Sequence, residues 1–291
     1  MLKNQTQIQS QGFEYGVKHF NSPKSGALNE IIAEVLEQSL EQINFLIQLG
    51  SVYVSSKRAQ ENEQVTENTH IRVHTKPRRY NVNYDWKSRI VFDHQDFVIL
   101  NKPNNIPSHP SVDNQIENSL TQLSMALNTK LLITHRLDTL TEGLIVYGKN
   151  NQFVNSFNTQ LQKKLITKKY VALVETTEKL PNHLVHYMEP SPRAPKKVSQ
   201  VAHEGWDICE LKIEQQKIFD HYSWIKIDLL TGRTHQIRSQ VSEMGAPIIG
   251  DRLYGSRLGD DKNKIALRAQ EIEFTWLGQS HQIKISEDFD I

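Results

Sequence analysis

The stretch that decides the fold reads HRLDTLTEG at residues 135–143, and it lies between two apolar runs at 131–134 and 144–147. Both runs are typical of strands, so the stretch predicts a loop at a strand end. Asp138 lies there beside a cation and an imidazole, at a place where folds often put reactive groups. The local pattern alone favours a structural interpretation, because aspartates commonly cap helices or form Asx turns.

A second unusual stretch, TGRTHQIR at residues 231–238, follows an alternating strand pattern and leads into a helix that ends near Gly245. Arg233 lies at the predicted turn, and Arg238 lies about one helical turn further on. Two arginines at a helix start can bind phosphate together with the backbone N–H groups. The alternative is structural, with an arginine that packs and forms an ion pair inside the domain.

Cations cluster in residues 161–200, which hold eight Lys and Arg against three Glu. The whole chain is nearly neutral, with 34 Lys and Arg against 33 Asp and Glu among 291 residues. Only a local patch could therefore hold a polyanion. Tyr170 lies inside this cluster, which favours nucleic acid because bases stack on aromatic rings. A solvated charged face is the alternative.

Composition excludes several classes of protein. Cys209 is the only cysteine in the sequence, which rules out an internal disulfide and a cysteine-based zinc site. His70 and His74 alternate on a predicted strand but lack further ligands at metal spacing, so we expect no metal. No apolar run approaches the roughly 20 residues that span a bilayer, and the polar start lacks a signal-peptide core. We therefore expect a cytoplasmic protein without a membrane partner.

The sequence divides into a small module and a larger domain. In the module, two helices, the second beginning with a Ser39–Gln42 capping box, precede short strands. Residues 1–75 hold six Lys and Arg against eight Glu, so the module is acidic. Many strands and few helices predict an α+β fold with a mixed sheet for the larger domain. The predicted divisions are a flexible tail (1–12), the module (13–75), a basic linker (76–88) and the larger domain (89–291).

Together these motifs resemble those of RluA-type pseudouridine synthases. The stretch at 135–144 is similar to their catalytic signature, and 231–238 with 245–255 is similar to their later signature. NKP at 101–103 matches their opening motif, and Lys169-Tyr170 lies at their Lys-x-Tyr strand. The matches come in the family's order over residues 89–274. The module resembles an S4-like RNA-binding domain, whose two helices and Gly-x-Val-x-Val strand match GSVYV at 50–54.

The resemblance implies an enzyme that detaches a uridine in RNA from its sugar, rotates the base and rejoins it through C5. Asp138 would be the catalytic carboxylate, Arg238 would pair with it, and Tyr170 would stack on the base and help to remove the C5 proton. Arg136 would fill the gap left by the flipped nucleotide. The other implied RNA contacts are His135, Arg233, His235, Lys102, Lys163, Lys164, Lys168 and Lys169. The resemblance implies no cofactor or metal; ribosomal RNA is favoured over transfer RNA, and a monomer is expected.

Two departures from the family pattern leave other functions open. Glu142 stands where the family has serine, and Ser239-Gln240 stands where it has Val-His. We expect Glu142 to face away, since beside Asp138 it would raise the pKa of that carboxyl group. One alternative is a catalytically silent RNA-binding relative, and another is a nucleoside glycosidase that releases free uracil. We also expect a fragment that lacks residues 1–80 to stay soluble.

Overall fold

The computed structural model describes residues 9–11, 16–259 and 264–289. Their contacts divide into two compact units. The first contains the residues up to 83 together with 109–122, and the second contains 84–108 and the residues from 123 onwards. The chain therefore passes between the units three times. The sequence had indicated an N-terminal module made of one continuous stretch, and residues 109–122 were not expected in it.

In the first unit, two helices pack on a small antiparallel sheet. The predicted capping box is present, with the Gln42 backbone N–H donating to Ser39 Oγ, and Gly50 ends the helix with a φ of +79°. The apolar sides of both helices share one core with Val52 and Ile71. Its elements are β1 (Gln9–Gln11), β2 (Val17–Asn21), β3 (Gly26–Ala27), α1 (Leu28–Leu36), α2 (Leu40–Leu49), β4 (Val52–Val54), β5 (Lys57–Arg58), β6 (Gln64–Val65) and β7 (His70–His74). The strand order is β1-β2-β7-β4-β5, and β3 pairs with β6.

In the described part of the second unit, eleven strands form one mixed sheet. Its elements are β8 (Ile90–Asp93), β9 (Phe97–Lys102), α3 (Ser119–Leu127, which includes the 122–123 boundary), β10 (Leu132–Ile133), β11 (Glu142–Gly148), α4 (Asn151–Gln162), β12 (Thr167–Val174), β13 (His183–Met188), β14 (Val198–Ser199), β15 (Asp207–Ile218), β16 (Ser223–Leu229), α5 (Gln236–Glu243), a 3-10 turn (Arg252–Tyr254), β17 (Leu267–Trp276) and β18 (Gln279–Lys284). The order is β14-β13-β15-β16-β12-β17-β11-β9-β8, with β10 beside β11 and β18 beside β17. All pairings are antiparallel except that of β11 with β17, so the predicted α+β class is confirmed.

Local signals of the second unit agree with the structure, with one difference. β8 and β9 pair as an antiparallel hairpin before the NKP motif, and the Asn150 side chain caps α4 by accepting from the Phe153 backbone N–H. In the sequence, residues 265–269 and 272–276 have two separate strand patterns, but most of both lie on one strand, β17. The register of β17 against β12 shifts beside Tyr170, which leaves Gln270 as an extra residue. This bulge interrupts the apolar alternation and made one strand look like two.

Arg78 and Arg79 were predicted to lie in a solvated linker, but both are bound within the first unit. Arg78 Nη2 is 2.7 Å from Asp113 Oδ1, and Arg79 Nη2 is 2.7 Å from Glu117 Oε1. Both carboxylates are buried and need cations, which the linker supplies. This arrangement argues against a soluble fragment without residues 1–80, because deletion would remove both arginines. No helix among the described residues is long and apolar enough to cross a membrane.

Candidate active site

Asp138 lies in the loop between β10 and β11, and its side chain is 20% exposed. One of its carboxylate oxygens, Oδ2, lies 3.5 Å from Arg238 Nη1 and 3.8 Å from His235 Nε2. Within the described residues the carboxylate accepts no backbone hydrogen bond, so the helix-cap and Asx-turn interpretations do not apply. The two stretches singled out in the sequence therefore meet at this carboxylate.

Arg238 is bound more tightly to another residue, Asp251. Arg238 Nε lies 2.6 Å from Asp251 Oδ2, and Nη2 lies 2.9 Å from Oδ1. The side chains are 3% and 1% exposed, so this is a buried bidentate pair. The sequence interpretation assigned Arg238 to Asp138 and missed Asp251, although Asp251 belongs to the quoted stretch 245–255. The sequence did contain one signal for Asp251, since a carboxylate directly follows a glycine turn there.

A close approach of two strands positions the loop of Asp138. Gly143 has a φ of +105°, and a Cβ there would lie 2.3 Å from the Ala269 carbonyl oxygen on β17. Only glycine fits this position, which explains the glycine of the quoted stretch. Beside it, Glu142 Oε1 lies 2.7 Å from Arg268 Nη2. Its charge is neutralised there, so this departure from the family pattern adds no unpaired anion beside Asp138.

The second departure, Ser239-Gln240, lies on α5 and stabilises the fold. The fully buried Gln240 amide donates to the backbone carbonyls of Leu184 at 3.3 Å and Cys209 at 3.2 Å. Ser239 Oγ donates within the helix to the His235 carbonyl. These contacts tie α5 to β13 and β15, which keeps Arg238 in place.

Tyr170 lies on β12 with its ring buried. Its hydroxyl group has no hydrogen-bond partner among the residues that the structure describes. Burial, and after it the charge of Asp138, raises the pKa of Tyr170 well above its usual value. The phenol is therefore neutral near pH 7, which suits stacking on a base better than removal of a proton.

Two residues predicted to contact RNA form hydrogen bonds with the backbone. Lys102 is fully buried, and its Nζ donates to the carbonyls of Pro103 at 2.9 Å and Ile106 at 2.7 Å. Burial lowers the pKa of Lys102 to about 7. His135 Nε2 accepts from the Val146 backbone N–H at 3.1 Å, and burial lowers the pKa of His135 to about 3. The assignment of Lys102 is corrected, because its fully buried ammonium group is bound to carbonyls and is not placed to reach a phosphate. The RNA contact of His135 stays a prediction.

The remaining predicted cations differ in what they contact. Arg136 is exposed and has no ion pair within 16–259 and 264–289, and Lys163 and Lys164 are exposed at the end of α4. Arg233 pairs with Asp207 at 3.0 Å, with both side chains about half exposed.

Neighbouring lysines on β12 have opposite environments. Lys169 Nζ lies 2.7 Å from Glu214, whose hydrogen bond raises the pKa of Lys169. Lys168 has no hydrogen bond or ion pair in the part of the chain that the structure describes, and burial lowers the pKa of Lys168. Its Nζ lies 3.0 Å from the point where a Cβ at Gly232 would stand. Lys168 thus points toward the turn that precedes His235, whereas Lys169 is already paired.

The family profile described as RNA pseudouridylate synthase matches residues 96–243, half of the chain. The chain belongs to this family. As a family member it is 34% identical over 219 residues to RNA pseudouridine synthase 6, chloroplastic, of Oryza sativa subsp. japonica, covering 66% of this chain and 46% of that protein. It is 27% identical to ribosomal large subunit pseudouridine synthase D of Neisseria meningitidis, covering 79% and 64%. The chain therefore spans about half the length of the plant relative.

Solved structures support the fold of this pseudouridylate synthase family member. Human RNA Pseudouridylate Synthase Domain Containing 4 superposes with a TM-score of 0.57 at 19% identity, covering 69% of this chain and 89% of that one. At this identity the likeness concerns the fold alone.

Proposed function

We propose that this protein converts uridine in RNA to pseudouridine, with Asp138 as the catalytic carboxylate. The observation that carries the proposal is the partly open Asp138 side chain, held beside Arg238 and His235. Breaking a glycosidic bond builds positive charge on the sugar, and a carboxylate can stabilise that charge or attack the sugar. Family membership supports the reaction type.

In this proposal each neighbour of Asp138 has a separate task. Arg238 holds the carboxylate in position, with its Nη1 3.5 Å from Oδ2. Tyr170 stacks on the extruded base with its neutral phenol. Arg136, exposed and without an ion pair within the described residues, fills the gap in the RNA. Lys163, Lys164, Lys168 and Arg233 contact phosphates, whereas Lys169 contributes less because Glu214 holds its charge.

The buried pair of Arg238 and Asp251 also argues against a hydrolytic glycosidase. Such enzymes generally use two carboxyl groups that flank the scissile bond. The second carboxylate next to Arg238 is Asp251, which is 1% exposed and bound by two hydrogen bonds. It cannot protonate a leaving group or activate water from there.

For the substrate we propose ribosomal RNA, which agrees with the name of the Neisseria relative. We further propose that the first unit is S4-like, with α1 and α2 followed by β4, and that it acts in target choice more than in catalysis. The acidic balance of residues 1–75 supports this division, since strong phosphate binding requires cations. We also propose that the protein is a monomer and that it works in the cytoplasm.

The deciding experiment is tritium release from RNA labelled at C5 of uridine, with ribosomal and transfer RNA compared. Release from ribosomal RNA, together with pseudouridine in the digested product, is the expected result. Free uracil in place of pseudouridine would identify a glycosidase. RNA binding without any product would identify a catalytically silent relative.

A further inference from the structure

His235 is placed for a task other than RNA binding. It precedes α5 with a left-handed φ of +58°, a conformation in which histidine is enriched among non-glycine residues. Its side chain is 17% exposed, and each ring nitrogen faces one group. Nδ1 lies 3.0 Å from Tyr254 Oη, and Nε2 lies 3.8 Å from Asp138 Oδ2.

The hydrogen bonds of Tyr254 determine which nitrogen of His235 carries the proton. Tyr254 Oη accepts from the Lys196 backbone N–H at 2.8 Å, and a backbone N–H can only donate. The single hydroxyl hydrogen then needs an acceptor, and among the described residues His235 Nδ1 alone lies in reach. Nδ1 therefore accepts, and the neutral ring carries its hydrogen on Nε2, toward Asp138.

The ring of His235 is neutral at ordinary pH. Burial lowers the pKa of His235 and outweighs the nearby charge of Asp138, which raises it, while Arg238 lowers it further. Asp251 and Lys196 act in opposite directions and more weakly. A neutral ring donates one hydrogen bond without adding a second full charge beside the carboxylate.

Both donors near Asp138 converge on the same oxygen. Arg238 Nη1 and His235 Nε2 lie nearest to Oδ2, and within the described ranges the carboxylate accepts a hydrogen bond at Oδ2 and none at Oδ1. We propose that His235, held in its Nε2–H tautomer by Tyr254, is a positioning residue that directs Oδ1 of Asp138 to the substrate. This inference rests on the proposed function. Whether Asp138 attacks the sugar or removes a proton, it needs one unoccupied lone pair, and contacts that are long without substrate can shorten on binding.

The first test is spectroscopic and does not depend on activity. In the full-length chain labelled with ¹⁵N-histidine, the His235 signals should show a protonated Nε2 and an unprotonated Nδ1. Tyr254→Phe, which removes the hydroxyl hydrogen, should give a mixture of the two tautomers. The matched control is Tyr222→Phe, because the Tyr222 hydroxyl has no hydrogen bond in the described part of the chain. A wild-type signal with the proton on Nδ1 would overturn the proposal.

The second test separates positioning from a merely structural role. The side-chain amide of glutamine can place its N–H near the position of Nε2, whereas that of asparagine reaches only the position of Nδ1. His235→Gln should therefore keep most of kcat, and His235→Asn should lose about tenfold, the loss expected for one missing hydrogen bond. KM and the salt dependence of binding should stay within about twofold in both variants.

The outcomes distinguish this inference from the proposed function. Equal kcat values for His235→Gln and His235→Asn in an active enzyme would overturn the positioning role alone. A raised KM with unchanged kcat would return His235 to RNA binding. A wild-type chain that forms no pseudouridine would overturn the proposed function and, with it, the role of His235 in that reaction.

Discussion

Asp113 in the first unit has its carboxylate occupied by short hydrogen bonds, whereas Asp138 in the second unit is left partly open. Asp113 accepts three hydrogen bonds from the Arg78 side chain and backbone at 2.7, 2.8 and 3.1 Å. Asp138 has contacts of only 3.5 and 3.8 Å, because Asp251 takes the two short hydrogen bonds of Arg238. A carboxylate whose lone pairs are occupied stabilises the fold, whereas one with long contacts keeps an oxygen for a substrate. The second unit thus holds a cation near Asp138 without letting it saturate the acid.

The pKa values of two carboxyl groups in the first unit agree with this contrast. Burial by itself would raise the pKa of Asp113, but the hydrogen bonds from Arg78 outweigh it and hold the pKa well below its usual range. The pKa of Glu117 is also lowered, since the hydrogen bonds from Arg79 and from the Tyr80 backbone exceed the effect of burial. These two acids are structural charges that stay ionised.

The largest effect is expected from Asp138→Asn, which removes the charge of the partly open carboxylate. Asparagine has nearly the same shape but cannot stabilise positive charge on the sugar, so turnover should fall at least about a hundredfold. Tritium release measures turnover, while melting temperature and RNA affinity should stay unchanged. Asp113→Asn is the control and should lower the melting temperature with little effect on kcat. Turnover above a few per cent of wild type would refute the role of Asp138.

Arg238→Met should lower both stability and rate. It leaves the buried Asp251 without its cation, which costs on the order of 3–5 kcal/mol of unfolding free energy. Chemical denaturation measures that loss. The control Arg233→Met breaks a half-exposed pair and should cost at most about 1 kcal/mol. If both variants have the same free energy of unfolding as the wild type, the buried pair does not stabilise this unit.

Arg78→Met tests the other carboxylate of this comparison, Asp113, which accepts short hydrogen bonds. Losing the guanidinium leaves the buried Asp113 with fewer donors, at a cost of about 1–3 kcal/mol. The folded pKa of Asp113 is depressed, so its stabilising effect is present above the unfolded pKa of about 3.9 and is lost as pH falls below it. The difference in unfolding free energy should therefore be full at pH 7 and shrink below about pH 4. A difference that grows toward acid would contradict the assignment.

The smallest effect separates two adjacent lysines. Lys168→Met should weaken RNA binding and reduce the log–log salt slope by about 0.7, the value for one phosphate contact on a single strand. Lys169→Met should change the slope less, because Glu214 already holds that ammonium group. Binding titrations at several salt concentrations measure both slopes. Equal slopes for the two variants would mean that Lys168 does not face the RNA.

Sequence reasoning succeeded where a residue's role depends on its near neighbours. The Ser39–Gln42 capping box depends on two residues three positions apart, and it is present as predicted. The meeting of Asp138 with Arg238 was also predicted, through the order of the family's motifs. The predictions failed where charged or polar side chains are buried. Lys102 was taken for a surface residue, because the carbonyls that bind it become its neighbours only after folding.

The sequence by itself determined the family and the α+β class, because these depend on residue types at short, ordered spacings. Only the tertiary structure decided that Asp251 takes the main hydrogen bonds of Arg238 and that His235 lies between Tyr254 and Asp138. It alone showed that residues 109–122 belong with the first unit. The reason is physical: hydrogen bonds and ion pairs are sensitive to tenths of an ångström. Residues far apart in sequence reach such distances only when the whole sheet and its loops are in place.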